Sequence, residues 1–150
     1  MKSLFDTEAY NEVKNRINAI PVDSSPQWGK MNAGQMFKHC QTPFDIINGT
    51  VEFNIKVGFF KKLMFSMMKS MMYNDKLWKQ SVPTPKEFVI DYKVDTNAER
   101  ENLLSKVDQF HERKKQEQWE PHPIFGNFKK DQWGKMNYKH LDHHLRQFGV

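Results

Sequence analysis

Residues 133–144 read Trp133-Gly134-Lys135-Met136-Asn137-Tyr138-Lys139-His140-Leu141-Asp142-His143-His144. An earlier stretch opens with the same five residue types and reads Trp28-Gly29-Lys30-Met31-Asn32-Ala33-Gly34-Gln35-Met36-Phe37-Lys38-His39. In this alignment His39 stands opposite His144, and Gln35 stands opposite His140. Two similar helices that each present an imidazole from the same turn predict a metal site between them.

The C-terminal histidines leave a helix in different directions. Residues four apart lie about 40° apart around the axis, so His140 and His144 share one face. His143 diverges from His144 by about 100°, and the pairing of His140 with His143 is allowed by geometry. The internal match selects His144, and the predicted ligand set is His39, His140 and His144. Three protein ligands leave a coordination position open, as in catalytic zinc sites. The alternative is that His140 and His144 are ordinary polar residues at the surface of the bundle.

Three further residues are candidates for the lining of this site. Gln35 lies one turn before His39, so its amide either binds a water or substrate there or makes a contact in the core. His122 lies between two prolines, and it either closes over the site or contacts a backbone carbonyl. His143 is the third candidate. The sequence identifies no catalytic acid or base.

Apolar residues at helical spacing predict four core helices and an inserted piece between the second and the third. The helices are expected at about residues 6–20, 32–48, 96–118 and 137–148, and each has a polar start signal or a proline or glycine stop. The length of 150 residues suits one core. We therefore expect an all-α four-helix bundle that forms a single domain over residues 1–150.

The segment 57–73 is rich in methionine and phenylalanine and contains three lysines. The favoured interpretation is a helix that packs on the core, and the alternatives are a membrane-surface helix or an adaptable ligand pocket. Its most apolar run, residues 63–68, is too short to span a bilayer. Residues 88–94 are expected to be extended.

Composition restricts the partners and the compartment. The net charge of +5 is spread along the chain and forms no compact phosphate-binding patch, so we do not expect nucleic-acid binding. Cys40 is the only cysteine, which excludes an intrachain disulfide and favours a reducing compartment. Residues 1–6 lack the apolar core of a signal peptide, so a cytoplasmic protein is expected. His111 lies in a charged run and is expected to be exposed.

Several motifs resemble those of a known family. The motifs are Met36-Phe37-Lys38-His39-Cys40, residues 122–126 (His-Pro-Ile-Phe-Gly), Gln132-Trp133-Gly134 and residues 138–147. They resemble the DinB/YfiT-like metalloenzyme superfamily, and most closely a branch of unknown function. The resemblance covers nearly the whole chain, is specific in the C-terminal third and is thin between Gly49 and Val94.

The resemblance implies a four-helix bundle with a long crossover connection. It also implies a divalent metal ion, most often zinc or nickel, held by one histidine on the second helix and two on the last, at positions that match His39, His140 and His144. Relatives include metal-dependent hydrolases and enzymes that transfer low-molecular-weight thiols, and many are dimers. The expected protein is therefore a homodimeric enzyme that activates water or a thiol against a small-molecule substrate. The alternative is a non-catalytic stress-response bundle that holds a metal or a small ligand.

Overall fold

Four α-helices of 13 to 18 residues form the core of the described part of the chain. The structure, a computed structural model, describes residues 1–50, 58, 64–65, 67–82, 84 and 86–150. The helices are α1 (Thr7–Ala19), α2 (Ala33–Asn48), α3 (Thr96–Glu112) and α4 (Lys130–Gln147). Short 3-10 turns lie at Lys69–Met72, Lys86–Phe88 and Arg113–Lys115. The long connection between α2 and α3, residues 49–95, contains the segment that was expected to be inserted.

The helices pack as a bundle around one apolar cluster. Helices α1 and α2 each pack against both α3 and α4. Each helix turns an apolar stripe inward, because residues three and four apart share a face. The stripes consist of Val13 and Ile17; Met36, Phe37, Cys40 and Phe44; Leu103 and Val107; Leu141 and Leu145. The prediction of an all-α helical bundle is confirmed.

The ends of α2 follow the local sequence signals. The Asn32 side chain accepts from the backbone N–H of Gln35 at 2.9 Å, and the Gln35 side chain accepts from the backbone N–H of Asn32 at 3.0 Å. This reciprocal cap satisfies two amides that the first turn leaves without partners. The helix ends at Gly49, whose φ of 66° lies in the left-handed region that favours glycine.

Helix α4 begins seven residues earlier than the sequence predicted. We expected a start at Asn137 because Asn32 caps α2, but the helix starts at Lys130, where the Gln132 side chain accepts from the backbone N–H of Lys129 at 2.9 Å. The two copies of Trp-Gly-Lys-Met-Asn therefore differ in structure. Residues 28–32 precede α2, and residues 133–137 lie inside α4. The prediction that each copy presents its histidine from the same helical turn was wrong.

Other local predictions were also corrected. Helix α3 is capped by Asp95, which accepts from the backbone N–H of Ala98 at 2.9 Å, and it ends at Glu112 rather than near residue 118. His111 is buried, not exposed, and its Nδ1 lies 2.7 Å from the Leu4 carbonyl oxygen. Cys40 is buried, and burial raises the pKa of its thiol.

The connection between α2 and α3 agrees only in part with the expectations. Residues 86–88 form a 3-10 turn rather than part of a strand, and the described residues of 88–94 form no β-ladder. The helix expected over 57–73 lies partly outside the described residues; residues 64–65 and 67–68 are α-helical, and Lys69–Met72 form a 3-10 turn. Among the described residues, no helix is both long enough and apolar enough to cross a membrane.

Candidate metal centre

Three histidines from two helices converge between α2 and α4. His39 comes from α2, and His140 and His144 come from consecutive turns of α4. One ring nitrogen of each lies within 4.8 Å of those of the other two. The ring centroids are 5.2 Å apart for His39 and His140, and 4.8 Å apart for each pair that includes His144. The structure thus brings together the three residues that spacing selected.

The tautomer of His39 is set by a backbone carbonyl. Its Nδ1 lies 3.0 Å from the carbonyl oxygen of Phe88, in the turn before α3. A carbonyl oxygen only accepts, so Nδ1 carries the proton and Nε2 of the neutral ring carries the lone pair. That Nε2 lies 3.3 Å from Nε2 of His140.

The tautomer of His144 is set by Gln147. The Gln147 Nε2 donates to the Trp28 carbonyl oxygen at 2.6 Å, which orients the amide. Its Oε1 therefore faces Nδ1 of His144, at 2.9 Å, and that nitrogen must be the donor. As with His39, the proton lies on Nδ1, and the Nε2 lone pair remains for a ligand. This is the usual way in which an outer partner orients a metal-binding imidazole.

Burial keeps the three imidazoles neutral. His39 and His144 are buried, and His140 is half-buried. Burial lowers the pKa of His39, and the hydrogen bond to the Phe88 carbonyl opposes this shift. Burial, with a smaller effect from His39, lowers the pKa of His144 to about 3. Burial and then the neighbouring histidines hold the pKa of His140 well below its ordinary value. Neutral imidazoles are the form that binds metal ions.

The spacing of the nitrogens suits a small divalent cation. Zinc binds imidazole nitrogen at about 2.1 Å, so tetrahedral ligands lie about 3.4 Å apart. The separation of 3.3 Å between Nε2 of His39 and Nε2 of His140 matches this value. Any pair near the 4.8 Å bound requires a ring movement of about an ångström. The donor set therefore fits a divalent ion with three nitrogen ligands.

Trp78 covers the exposed side of the cluster. Its ring centroid lies 6.0 Å from that of His140 and 5.7 Å from that of His143. The indole Nε1 donates to the Met71 carbonyl oxygen at 3.0 Å. The buried Lys139 ammonium of α4 donates to the same oxygen at 2.7 Å. The Met71 carbonyl therefore binds both the Trp78 indole and helix α4. The indole thus limits the access of water to the half-buried His140.

The candidate lining residues lie in different places. The Gln35 side chain caps α2, and its Nε2 donates to the Tyr92 carbonyl oxygen at 3.1 Å. Nδ1 of His122 accepts from the backbone amides of residues 124 and 125. The His122 ring packs on Trp133 at 5.6 Å, and Trp133 precedes His140 by about 10 Å along α4. Only His143 adjoins the cluster, with its ring 5.1 Å from that of His144.

The residues that orient the ligand imidazoles were not predicted from the sequence. Gln147 follows His144 by three residues, so helical spacing places both on one face, and this signal was available. The Phe88 carbonyl and the Trp78 indole come from the long connection. Their contacts with the cluster depend on how that connection returns to the bundle, and no local pattern predicts such a return.

The fold and the cluster define a class: an all-helical protein with three convergent neutral histidines. The chain belongs to the family described as "Protein of unknown function (DUF1569)", whose model matches residues 2–149. No curated protein and no solved structure matches the chain. The match confirms a family of unknown function and provides no link to the DinB/YfiT-like superfamily.

Proposed function

We propose that His39, His140 and His144 bind a divalent metal ion, zinc or nickel, and that the protein is a metal-dependent enzyme. The observation that carries this proposal is the orientation of the imidazoles. The protons of two rings are held at Nδ1 by Phe88 and Gln147, so that their Nε2 atoms carry the lone pairs that a cation would bind. The resemblance of the motifs to the DinB/YfiT-like superfamily supports the same ligand set.

The resemblance to the DinB/YfiT-like superfamily implies hydrolysis or thiol transfer on a small molecule. A divalent ion in such a site lowers the pKa of a coordinated water or thiol and polarises an electrophile. The chain itself fixes two imidazoles by hydrogen bonds, leaves His140 half-buried on the accessible side and limits water there with Trp78. We therefore propose a hydrolase or a thiol S-transferase, acting as a homodimer in the cytoplasm.

Metal content tests the ligand set directly. Protein purified without an affinity tag is loaded with zinc or nickel, desalted and measured by elemental analysis. We expect about one ion per chain in the parent protein and substoichiometric metal in His39→Ala, His140→Ala and His144→Ala. His143→Ala is the matched control, because it removes the adjacent imidazole and should retain the ion. Unchanged stoichiometric metal in the three ligand variants contradicts the proposal.

One observation favours the non-catalytic alternative. Asp142 is the nearest acid in sequence to the α4 ligands, and its carboxylate is paired with Arg16 and Arg146, each at 2.8 Å. It is therefore engaged rather than available as a proton acceptor. A screen of ester, amide and thiol-acceptor substrates separates the two functions. Turnover that disappears on chelation supports the enzyme, whereas stabilisation by ligands without any turnover supports the binding protein.

A further inference from the structure

A cavity of about 440 Å³ lies beside the histidine cluster, and Trp78 and His143 form the boundary between them. Trp78 lines the cavity and also packs on His140, with ring centroids 6.0 Å apart. His143 lines the cavity and packs on His144, with ring centroids 5.1 Å apart. A molecule in the cavity would thus lie one aromatic ring away from the candidate metal ligands.

Three aromatic rings stand among the residues that line this cavity. The centroid of the His143 ring lies 6.0 Å from that of Trp28 and 5.7 Å from that of Trp78, and all three side chains line the cavity. Indole faces stack on flat π-systems and gain more from them than from saturated rings of equal size. The three rings in the lining therefore favour a ligand that carries a flat aromatic ring.

The charged side chains of the lining select the sign of the ligand. They are Lys139, Asp142 and Arg146. The Lys139 ammonium is saturated, because it donates to two oxygens of Asn74 as well as to the Met71 carbonyl. The Asp142 carboxylate is shared between Arg16 and Arg146. The Asp142 charge is thus matched by two arginines, and the three donors of the Lys139 ammonium are occupied by neutral oxygens.

Arg146 is the charged group that remains accessible. Its side chain is 52% exposed, and its Nε donates to Asp142 at 2.8 Å. The terminal amino groups of the guanidinium can therefore form the paired hydrogen bonds that carboxylates and phosphates accept. A cationic ligand would meet two positive side chains and a carboxylate that two arginines already share, so the aromatic walls do not form a cage for an ammonium group.

We propose that this cavity binds a flat aromatic molecule that carries a carboxylate or a phosphate. The ring lies against the indoles of Trp28 and Trp78, and the anionic group lies on Arg146. That this molecule is the substrate of the neighbouring metal site rests on the proposed function, whereas its binding to the cavity does not. The inference thus names a substrate class for the site.

Isothermal titration of the metal-free protein tests the ligand class. The probes are benzoate, phenyl phosphate, cyclohexanecarboxylate, benzamide and benzyltrimethylammonium. We expect benzoate or phenyl phosphate to bind at least tenfold more tightly than the saturated acid, the neutral amide and the cation. The ratio between benzoate and phenyl phosphate identifies the preferred anionic group. Equal affinity for all five probes, or a preference for the cation, overturns the proposal.

Variants locate the binding. Trp78→Ala should weaken binding of the preferred anion at least tenfold, and Trp78→Phe should restore most of it. Arg146→Gln should weaken the anion about tenfold and leave benzamide unchanged, because only the anion uses the guanidinium. Lys79→Gln, an exposed cation outside the cavity lining, is the matched control. Anion binding that survives both Trp78→Ala and Arg146→Gln refutes the site.

The two proposals fail separately. Binding of aromatic anions is measured without metal and should persist in His39→Ala, whose side chain is not part of the cavity lining. If no ion binds but aromatic anions do, the proposed metal site is refuted and the proposed ligand cavity stands. If the metal binds but aromatic anions do not, the proposed ligand cavity is refuted and the proposed metal site stands.

Discussion

Gln147→Leu is predicted to weaken metal binding through His144 without removing a ligand. Gln147 is buried, with 4% of its surface exposed, and it bridges Nδ1 of His144 and the Trp28 carbonyl oxygen by hydrogen bonds of 2.9 and 2.6 Å. Leucine has a similar volume and forms neither bond. His144 then loses the partner that keeps its proton on Nδ1 and its Nε2 lone pair toward the cluster.

The magnitude follows from the two contacts. Removal of an outer partner of a metal-binding histidine typically costs 10- to 100-fold in affinity, which is about 1.4 to 2.7 kcal/mol. The change also leaves one buried donor and one buried acceptor without partners, at about 1 to 3 kcal/mol each. We therefore expect the free energy of unfolding to fall by about 2 to 6 kcal/mol, against a total of about 5 to 15 kcal/mol for a typical domain.

Zinc affinity is measured by competition with a chromophoric chelator, and folding is checked by urea denaturation. Gln147→Glu is the matched control, because its carboxylate accepts from Nδ1 of His144 but offers no proton to the Trp28 carbonyl. It should retain zinc affinity within about threefold and still lose folding stability. A folded Gln147→Leu protein with the zinc affinity of the parent would refute the assignment of Gln147.

Three further predictions concern stability. Burial lowers the pKa of His122 to about 4, so below pH 6.5 the unfolded chain takes up a proton that the folded chain does not. This histidine alone should lower the free energy of unfolding by about 2 kcal/mol between pH 7 and pH 5. His122→Asn should remove that part of the loss in urea titrations at both pH values. Gly134→Ala places a methyl group 2.7 Å from a ring carbon of Phe5 and should cost about 1 to 3 kcal/mol by thermal unfolding; an unchanged midpoint contradicts this packing. Lys139→Met leaves the Asn74 oxygens without their cation and should increase hydrogen exchange in residues 71–78, whereas Lys135→Met, which removes a half-buried lysine paired with Asp131 on the same helix, should not.

Local sequence signals predicted the bounds of α2 well and the start of α4 poorly. The start of α2 near Asn32 and its end at Gly49 were predicted from the sequence, whereas the capping role of Gln35 was not. The start of α4 was misplaced because five matching residues were taken to have one structure. Gly29 has φ of 83° and lies against Gln147, whereas Gly134 is helical and lies under Phe5. Tertiary contacts, not the pentapeptide, determine each conformation.

The candidate site shows the same division. The pairing of His140 with His144 follows from helical spacing, so a single helix predicts it. The choice of His39 came from an alignment whose structural premise was wrong, yet α2 packs on α4 and brings that residue to the same point. The Phe88 carbonyl is a backbone group that every residue type carries, so the sequence does not mark it as a partner of His39. The buried state of His111 likewise depends on Leu4, which is 107 positions away in the chain.

Gln147 gives the cluster and the cavity a common anchor. It holds His144 on one side, and on the other it holds the backbone of Trp28, whose indole lines the cavity. If metal binding changes the affinity of the cavity for its ligand by some factor, thermodynamic reciprocity requires the ligand to change the affinity for the metal by the same factor. A double-mutant cycle between His144 and Trp28, carried out with and without Gln147, would measure how much of that mutual effect passes through a single amide.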